Sequence, residues 1–292
     1  MAGSSIGRTT DFESVGWRFE PSPASQHRGR CSMQQTRRVT QSITAIVLAA
    51  GVGKRMQSDL PKPLHRLANR ALIDWVISAL SDKRITTGVV VVGHGGTQLT
   101  HHLEYLSGTA VEWHFVTQAE QLGTGHATTV ALEALTRESS EMVLIVPGDT
   151  PLLRATSITK FINQHLATGA ALSVMSAVVE NPTGYGRIIR DEDDNVASIV
   201  EERDATDSER AIHEINTGIM IGSLPALESA LHRVGRGNAQ GEYYLTDVVG
   251  ILVASGALVR ADCLIDSTEA QGVNDPEQLA YCESVLAERA EQ

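Results

Sequence analysis

Apolar and polar positions change rhythm sharply along this chain. Residues 1–41 have no apolar period and are rich in serine, arginine and glycine. Such a segment buries too little surface to offset the entropy of ordering, so it reads as a disordered extension. From Ile43 the pattern is dense. "ITAIVLAA" is a continuous apolar run that stops at glycine, as in a strand covered on both faces. "LIDWVISAL" has helical spacing and "GVVVVG" reads as a second buried strand. Residues 97–106 read as a helix, "VEWHFVT" as a strand, "HATTVALEAL" as a helix, "MVLIV" as a strand and residues 156–166 as a helix. This alternation predicts an α/β fold, a Rossmann-like, mostly parallel mixed sheet with helices on both faces.

Beyond Ala170 the segments shorten. "ALSVMSAVVE", "GRIIR" and "NVASIVE" read as strands separated by the turns "NPTGYG" and "DEDDN". "EINTGIMIG" and "ALVRADCLI" read as strands, and residues 224–234 and 245–255 as helices. A last helix starts at Pro276 with Asp275 as its N-cap. The predicted organisation is an extension over 1–41, one domain over 42–275 and a terminal helix over 276–292.

Composition narrows this picture. Hydrophobic residues make up 42% of the chain and aromatics 4%, so the core is expected to be aliphatic. No apolar run reaches the roughly 20 residues of a membrane span, so no membrane association is expected. The net charge of -11 disfavours nucleic acid, although local cations can still hold a small phosphorylated ligand. Cys31, Cys263 and Cys282 form no CxxC pair, which argues against a zinc site or disulfide framework and fits a reducing cytoplasm. The extension lacks the apolar core of a secretory signal. Its arginines and serines hint at a transit peptide, but Asp11, Glu13 and Glu20 oppose that, and Met33 offers an alternative start.

Ligands of open α/β sheets sit at the carboxyl ends of the strands, so the polar residues that follow strands carry the candidate chemistry. In "LAAGVGKRM", Gly51 and Gly53 let backbone N–H groups turn toward an anion, and Arg55 offers a fork for phosphate oxygens. The Rossmann fingerprint is incomplete because Met56 stands where its third glycine belongs, and no Walker A loop is present. Lys62 lies between two prolines that should hold it extended and stiff, suited to a second phosphate contact. Gln118 carries an amide that matches a base edge such as the uracil imide, with Gly123, Thr124 and Gly125 beside it. Asp149 ends a buried strand and suits magnesium, for which Asn274 offers a second oxygen. Each stretch also has a plain structural reading: a tight turn, a solvated lysine, or helix caps at Thr124 and Asp149. His94, His101 and His102 lack a metal-like spacing, and "DEDD" reads as a solvated hairpin turn.

Taken in order, "LAAGVGKRM", "DLPKPLH", "QAEQLGTGHA", "NPTGYGRIIR", "IVEERDAT", "EINTGI", "NAQGEYYLTD" and "QGVND" resemble one known family. It is the uridyltransferase domain of the bifunctional N-acetylglucosamine-1-phosphate uridyltransferase/glucosamine-1-phosphate acetyltransferase, and the resemblance runs from Ile43 to the end. It implies a nucleotidyltransferase that uses Mg2+ to make UDP-N-acetylglucosamine and pyrophosphate from UTP and N-acetylglucosamine 1-phosphate, feeding cell-wall precursor synthesis. It implies that Leu48, Ala49, Ala50 and Gly51 contact the uracil nucleoside and that Gln118, Gly123 and Thr124 select the base. Arg55 and Lys62 would hold phosphates, and Asp149 and Asn274 the magnesium. Gly186, Glu201 and Asn216 would hold the sugar, with Tyr185, Glu242 and Tyr244 nearby. Pro147 departs from the Tyr or Ala usual before the Gly-Asp pair. No hexapeptide repeats follow the last helix, so acetyl transfer is not expected, and neither is the trimer built by that domain; a monomer or weak oligomer is. The competing readings are a nucleotidyltransferase for another sugar 1-phosphate, a molybdopterin-type guanylyltransferase, and a non-catalytic nucleotide-sugar sensor.

Overall fold

The run Ile43–Ala49 forms strand β1, buried at all positions but Leu48. A strand apolar on both faces needs partners on both edges and helices above and below. In the computed structural model, which describes residues 42–51, 53–93, 96–135 and 141–291, β1 has all of these. The chain divides into units Met1–Val39 and Thr40–Gln292, and the described residues belong to the second. The extension read over 1–41 lies outside the described residues.

After β1 come a small hairpin, β2 (Arg66–Leu67) and β3 (Arg70–Ala71), helix α1 (Leu72–Ala79), β4 (Ile85–Val92), α2 (Gly96–His102), β5 (Glu112–Thr117), α3 (Thr124–Glu133), β6 (Met142–Pro147) and α4 (Ala155–Thr168). The second half adds β7 (Leu172–Val178), β8 (Arg187–Arg190), β9 (Val196–Val200), α5 (Asp207–Arg210), β10 (Glu214–Ser223), α6 (Leu224–Leu231), α7 (Asp247–Ala254), β11 (Val259–Cys263) and α8 (Pro276–Glu291). The sheet order is β11-β7-β10-β6-β1-β4-β5, with β8 and β9 branching from β10. β1 is parallel to β4 and β6, while β10 runs antiparallel to β6 and β7. The sheet is therefore mixed and mostly parallel, as the strand–helix alternation predicts.

Strand periodicity divides the core into two layers. Ala45, Val47 and Ala49 pack on one face with Ile73 and Val76 of α1, Leu99 of α2, and Ile158 and Phe161 of α4. Ile46 packs on the other with Ala127 and Ala131 of α3, Leu227 of α6 and Val248 of α7. Each fully buried Val, Leu, Ile or Phe side chain contributes roughly 1.5–3 kcal/mol, so this two-sided burial fixes the register of the strand ends.

Three local expectations change. The helix read over 97–106 splits into α2 and a 3-10 segment, Leu103–Gly108, tightening as it approaches Ser107, Gly108 and Thr109, poor helix formers. Lys62 is not extended: it opens the 3-10 turn Lys62–Leu64 behind an extended Pro61. Pro63 is tolerated there because a first-turn N–H has no helical partner to lose. The terminal helix α8 does not stand apart from the domain, since Cys282 and Val285 pack with Met56, Leu67, Leu72, Leu152 and Val273. Arg289 ties its far end down by donating to Leu152 O (2.8 Å), Thr268 Oγ1 (2.9 Å) and Asp266 Oδ2 (3.1 Å). Asp275 does cap α8, accepting at Oδ1 from the Gln278 N–H (2.9 Å). The acidic turn is a local motif in which Asp191 Oδ1 accepts from the N–H groups of Asp193 and Asn195.

His165 of α4 is buried with Nδ1 2.9 Å from Ser173 Oγ, and burial pushes its pKa down to about 4. An unfolded-chain histidine titrates near about 6.5. The unfolded state therefore binds more protons between those values. Stability is full above about pH 6.5 and falls as pH drops toward 4, by an amount on the order of 3 kcal/mol. The expected outcome is that His165→Leu has a shallower decline in urea midpoint from pH 6.5 to 4.5 than the parent. Parallel declines would show that His165 does not drive the acid response.

Candidate active site

The carboxyl ends of β1, β4 and β6 lie side by side because the three strands are parallel. Their loops interlock closely. The Gly148 N–H donates to Leu48 O (2.9 Å), and a Cβ added at Gly93 would lie 2.3 Å from Ala50 O. Gly53 has φ +64° and a Cβ there would sit 2.7 Å from the Lys62 Cβ, so this position needs glycine for both reasons. Met56, in the place of a third fingerprint glycine, is buried among Leu67, Leu72 and Leu152. Side-chain packing thus anchors the loop where the dinucleotide motif uses backbone approach. The loops bound a cavity of about 450 Å³ that Leu48, Ala49, Ala50 and Gly51 line.

On one side stands the 118–124 loop. Gln118 is buried, and its Nε2 donates to Gly123 O (3.0 Å) and lies 3.0 Å from His126 Nδ1. Among the described residues none donates to Gln118 Oε1, which is left as an acceptor. Gly123 adopts φ +103°, and its hypothetical Cβ would meet Tyr243 O at 2.6 Å. Thr124 is not the cap of α3, a place Gly123 takes; its Oγ1 accepts from the Leu245 N–H (3.1 Å) instead. Gln121 donates from Nε2 to Ala50 O (2.8 Å), tying this loop to the first.

At the end of β6, Asp149 is likewise no helix cap, because α4 begins after Arg154. The Lys62 ammonium donates to Asp149 Oδ2 and to Asn274 Oδ1, the latter at 2.7 Å. The Val273 N–H donates to Asp149 O (2.9 Å), and Gln278 Oε1 accepts from the Asn274 N–H (2.7 Å). One small cation thus reaches a carboxylate and an amide oxygen together. That donor set fits magnesium, which takes one or two protein oxygens and leaves the rest to water and phosphate.

The opposite wall holds Gly184, Tyr185, Gly186, Glu201, Asn216, Glu242 and Thr246. The Asn216 N–H donates to Gly186 O (2.8 Å), and Asn216 Oδ1 accepts from the Gly218 N–H (3.0 Å); among the described residues Nδ2 has no acceptor and is left to donate. Thr246 Oγ1 donates to Glu201 Oε1 (2.8 Å). Burial pushes the Glu201 carboxyl above the usual carboxylate range, opposed by the Thr246 hydrogen bond and helped by the Asp247 and Asp204 charges. Arg187, almost fully buried, fastens this wall by bonding Glu202 Oε2 (2.8 Å) and Ile212 O (3.1 Å).

Twelve of the fourteen candidate residues line this one cavity; Arg55 and Asn274 do not. Asn274 still joins through Lys62. Arg55 lines an adjoining cavity of about 340 Å³ with Gly184, Glu201, Glu202, Arg203, Gln240 and Tyr244. Gln121, Thr246 and Arg187 went unread in the sequence. All three lie within the motifs "QAEQLGTGHA", "NAQGEYYLTD" and "NPTGYGRIIR", but nothing local shows which partners they meet. Of the histidines, His102 binds Asp74 (2.9 Å) and tethers α2 to α1, and His94 lies outside the described residues.

Residues 45–211 match the profile of the MobA-like NTP transferase domain. The chain is similar to curated proteins named bifunctional protein GlmU. That of Lactococcus lactis subsp. lactis is 44% identical over 245 residues, which are 84% of this chain and 52% of that protein. That of Thermobifida fusca is 42% identical over 247 residues, 84% of this chain and 50% of that protein. That of Caldanaerobacter subterraneus subsp. tengcongensis is 40% identical over 249 residues, 85% and 52% respectively. The chain spans about half the length of the curated relatives it matches.

The raised Glu201 carboxyl gives a thermodynamic prediction. Folded protein holds that proton more readily than unfolded chain, so its contribution to stability is full below the ordinary carboxylate range. It is lost as pH rises through the raised value. Glu201→Gln is therefore expected to melt above the parent at pH 8, with the gap closing toward pH 4. A variant melting at or below the parent at pH 8 would contradict the assignment.

Proposed function

The chain belongs to the family of MobA-like NTP transferase domains, and we propose that it transfers UMP from UTP to N-acetylglucosamine 1-phosphate, making UDP-N-acetylglucosamine and pyrophosphate. One observation carries the reading: the Gln118 loop, the Lys62–Asp149 pair and a sugar-sized polar wall face a single cavity of about 450 Å³. Similarity to GlmU proteins over the matched half supports it. We further propose that the enzyme works in the cytoplasm; among the described residues no helix is long and apolar enough to cross a membrane.

Leu48 to Gly51 form the nucleoside floor. Gln118, with Nε2 already committed, presents Oε1 to the N3–H of uracil, and Gly123 gives the base close backbone approach. Asn216 Nδ2 and the Glu201 carboxylate pair with sugar hydroxyls or the acetamido group, and Gly186 admits the ring close to Glu201. A phosphate oxygen of the sugar phosphate attacks the α-phosphorus in line, forming one P–O bond as the α–β anhydride bond breaks and pyrophosphate leaves. The nucleophile is already anionic, so the site needs positioning and charge neutralisation more than a base.

Charge arithmetic explains the need for a metal. Asp149, Glu201 and Glu242 line the cavity against Lys62, and both substrates are anions. Asp149 and Asn274 would hold magnesium, which supplies a hard divalent charge to the phosphate oxygens. Lys62 neutralises phosphate from the stiff 3-10 turn, and Arg55 does so from the adjoining cavity.

Pyrophosphate release measured with UTP beside GTP, and with N-acetylglucosamine 1-phosphate beside glucose 1-phosphate, tests the substrates. Preference for UTP and the acetamido sugar is expected, and preference for GTP would move the chain to the guanylyl branch of its family. Asp149→Ala and Lys62→Ala should each lose at least about 2 kcal/mol of transition-state stabilisation, roughly thirtyfold or more in turnover. Near-parental turnover in either would remove that residue from the site.

A further inference from the structure

We infer that the Lys62 ammonium and the divalent ion share one seat between Asp149 and Asn274, so that Lys62 guards the metal site until an anionic phosphate draws it away. The inference rests on the proposed metal ligands and adds a role for this chain's own lysine. Lys62 Nζ donates to Asn274 Oδ1 at 2.7 Å and to Asp149 Oδ2, the two oxygens assigned to the ion. A magnesium ion held by those two oxygens would need the space that the ammonium fills. Two like-charged centres cannot occupy it together, so one must leave.

Lys62 can leave without disturbing the fold. Its backbone is fixed by the turn: the His65 N–H donates to Lys62 O (3.2 Å), the Leu64 N–H donates to Pro61 O (2.9 Å), and Gly53 lies against the Lys62 stem. The ammonium rides on a flexible four-carbon stem that lines the cavity, so it swings while its Cα stays. An incoming phosphate offers it a new partner. Phosphate ligand and metal then help each other to bind, and by linkage the help is mutual. The pair also discourages the cation from binding to the bare protein.

The test is Mn2+ binding to the nucleotide-free chain, read as free-Mn2+ electron paramagnetic resonance at high salt, where long-range fields are screened. Lys62→Met and Lys62→Ala should bind Mn2+ about tenfold tighter or more than the parent. Arg55→Ala, which removes a nearby charge and leaves the seat filled, should bind like the parent. Adding Asp149→Asn to Lys62→Met should abolish the gain. If both folded Lys62 variants bind no tighter than the parent, or Arg55→Ala gains as much, the shared seat is wrong while the metal ligands stand. If Mn2+ binding survives Asp149→Asn in the Lys62→Met chain, the proposed metal ligands themselves are wrong.

Discussion

The site depends on β1 running parallel to both of its neighbours. A strand apolar on each face and paired on each edge has no freedom to slip, because one residue of slip would exchange its two buried faces. Parallel pairing then delivers the ends of β1, β4 and β6 to one edge of the sheet. Backbone contacts close the junction before any side chain contributes. Leu48 O takes the Gly148 N–H, and the absent side chain of Gly93 lets the Ala50 carbonyl lie against it. The cavity floor is thus a product of strand burial, and its chemistry is added by loops that have little choice of position.

The antiparallel strand β10 completes the arrangement. Because it opposes β6, with Ser223 beside Met142 and Met220 beside Ile145, it begins where β6 ends. Its first residues therefore arrive at the same edge, and Asn216 comes to face the cavity. Gly218 makes the junction possible. It has φ +78°, and a Cβ there would lie 2.9 Å from Pro147 Cγ. The proline that departs from the family's usual residue is accommodated against a glycine of the neighbouring strand, so the loop bearing Asp149 keeps its place.

Local signals were legible in the sequence and distant ones were not. Apolar runs identified the central strands because burial on both faces leaves no polar position to confuse the period. The Gln118 loop was legible because glycines, a buried amide and a following helix lie within a few residues. The junction of Lys62 with Asn274, 212 residues apart, is produced by α8 folding back, and no pattern near either residue announces it. Thr246 and Arg187 escaped for the same reason, since a threonine before a helix or an arginine in a short strand is read as surface until tertiary packing buries it. The prolines around Lys62 misled in a smaller way: they do stiffen the segment, but at the opening of a 3-10 turn rather than along an extended chain. The chemistry assigned to these residues by resemblance goes beyond what local pattern carries. Arg55 illustrates the difference, being adjacent in sequence to the floor of the cavity and yet lining its neighbour.

The cavity is electrostatically uncomfortable by construction. Among the described residues its lining holds three carboxylates, Asp149, Glu201 and Glu242, and one ammonium. That ammonium already serves Asp149, and Glu201 has only a threonine hydroxyl to offset its burial. A fold selected for stability alone would put neutral side chains at these positions, because a buried carboxylate without a cationic partner opposes folding. The proposed reactants would supply the missing balance: hydroxyl and amide donors for Glu201, and a divalent charge for Asp149 and Asn274 once Lys62 turns to phosphate. On that proposal, the same imbalance that weakens the empty fold would favour binding of the full set of reactants over any one of them, which is what a transferase needs to keep water from taking the place of the acceptor.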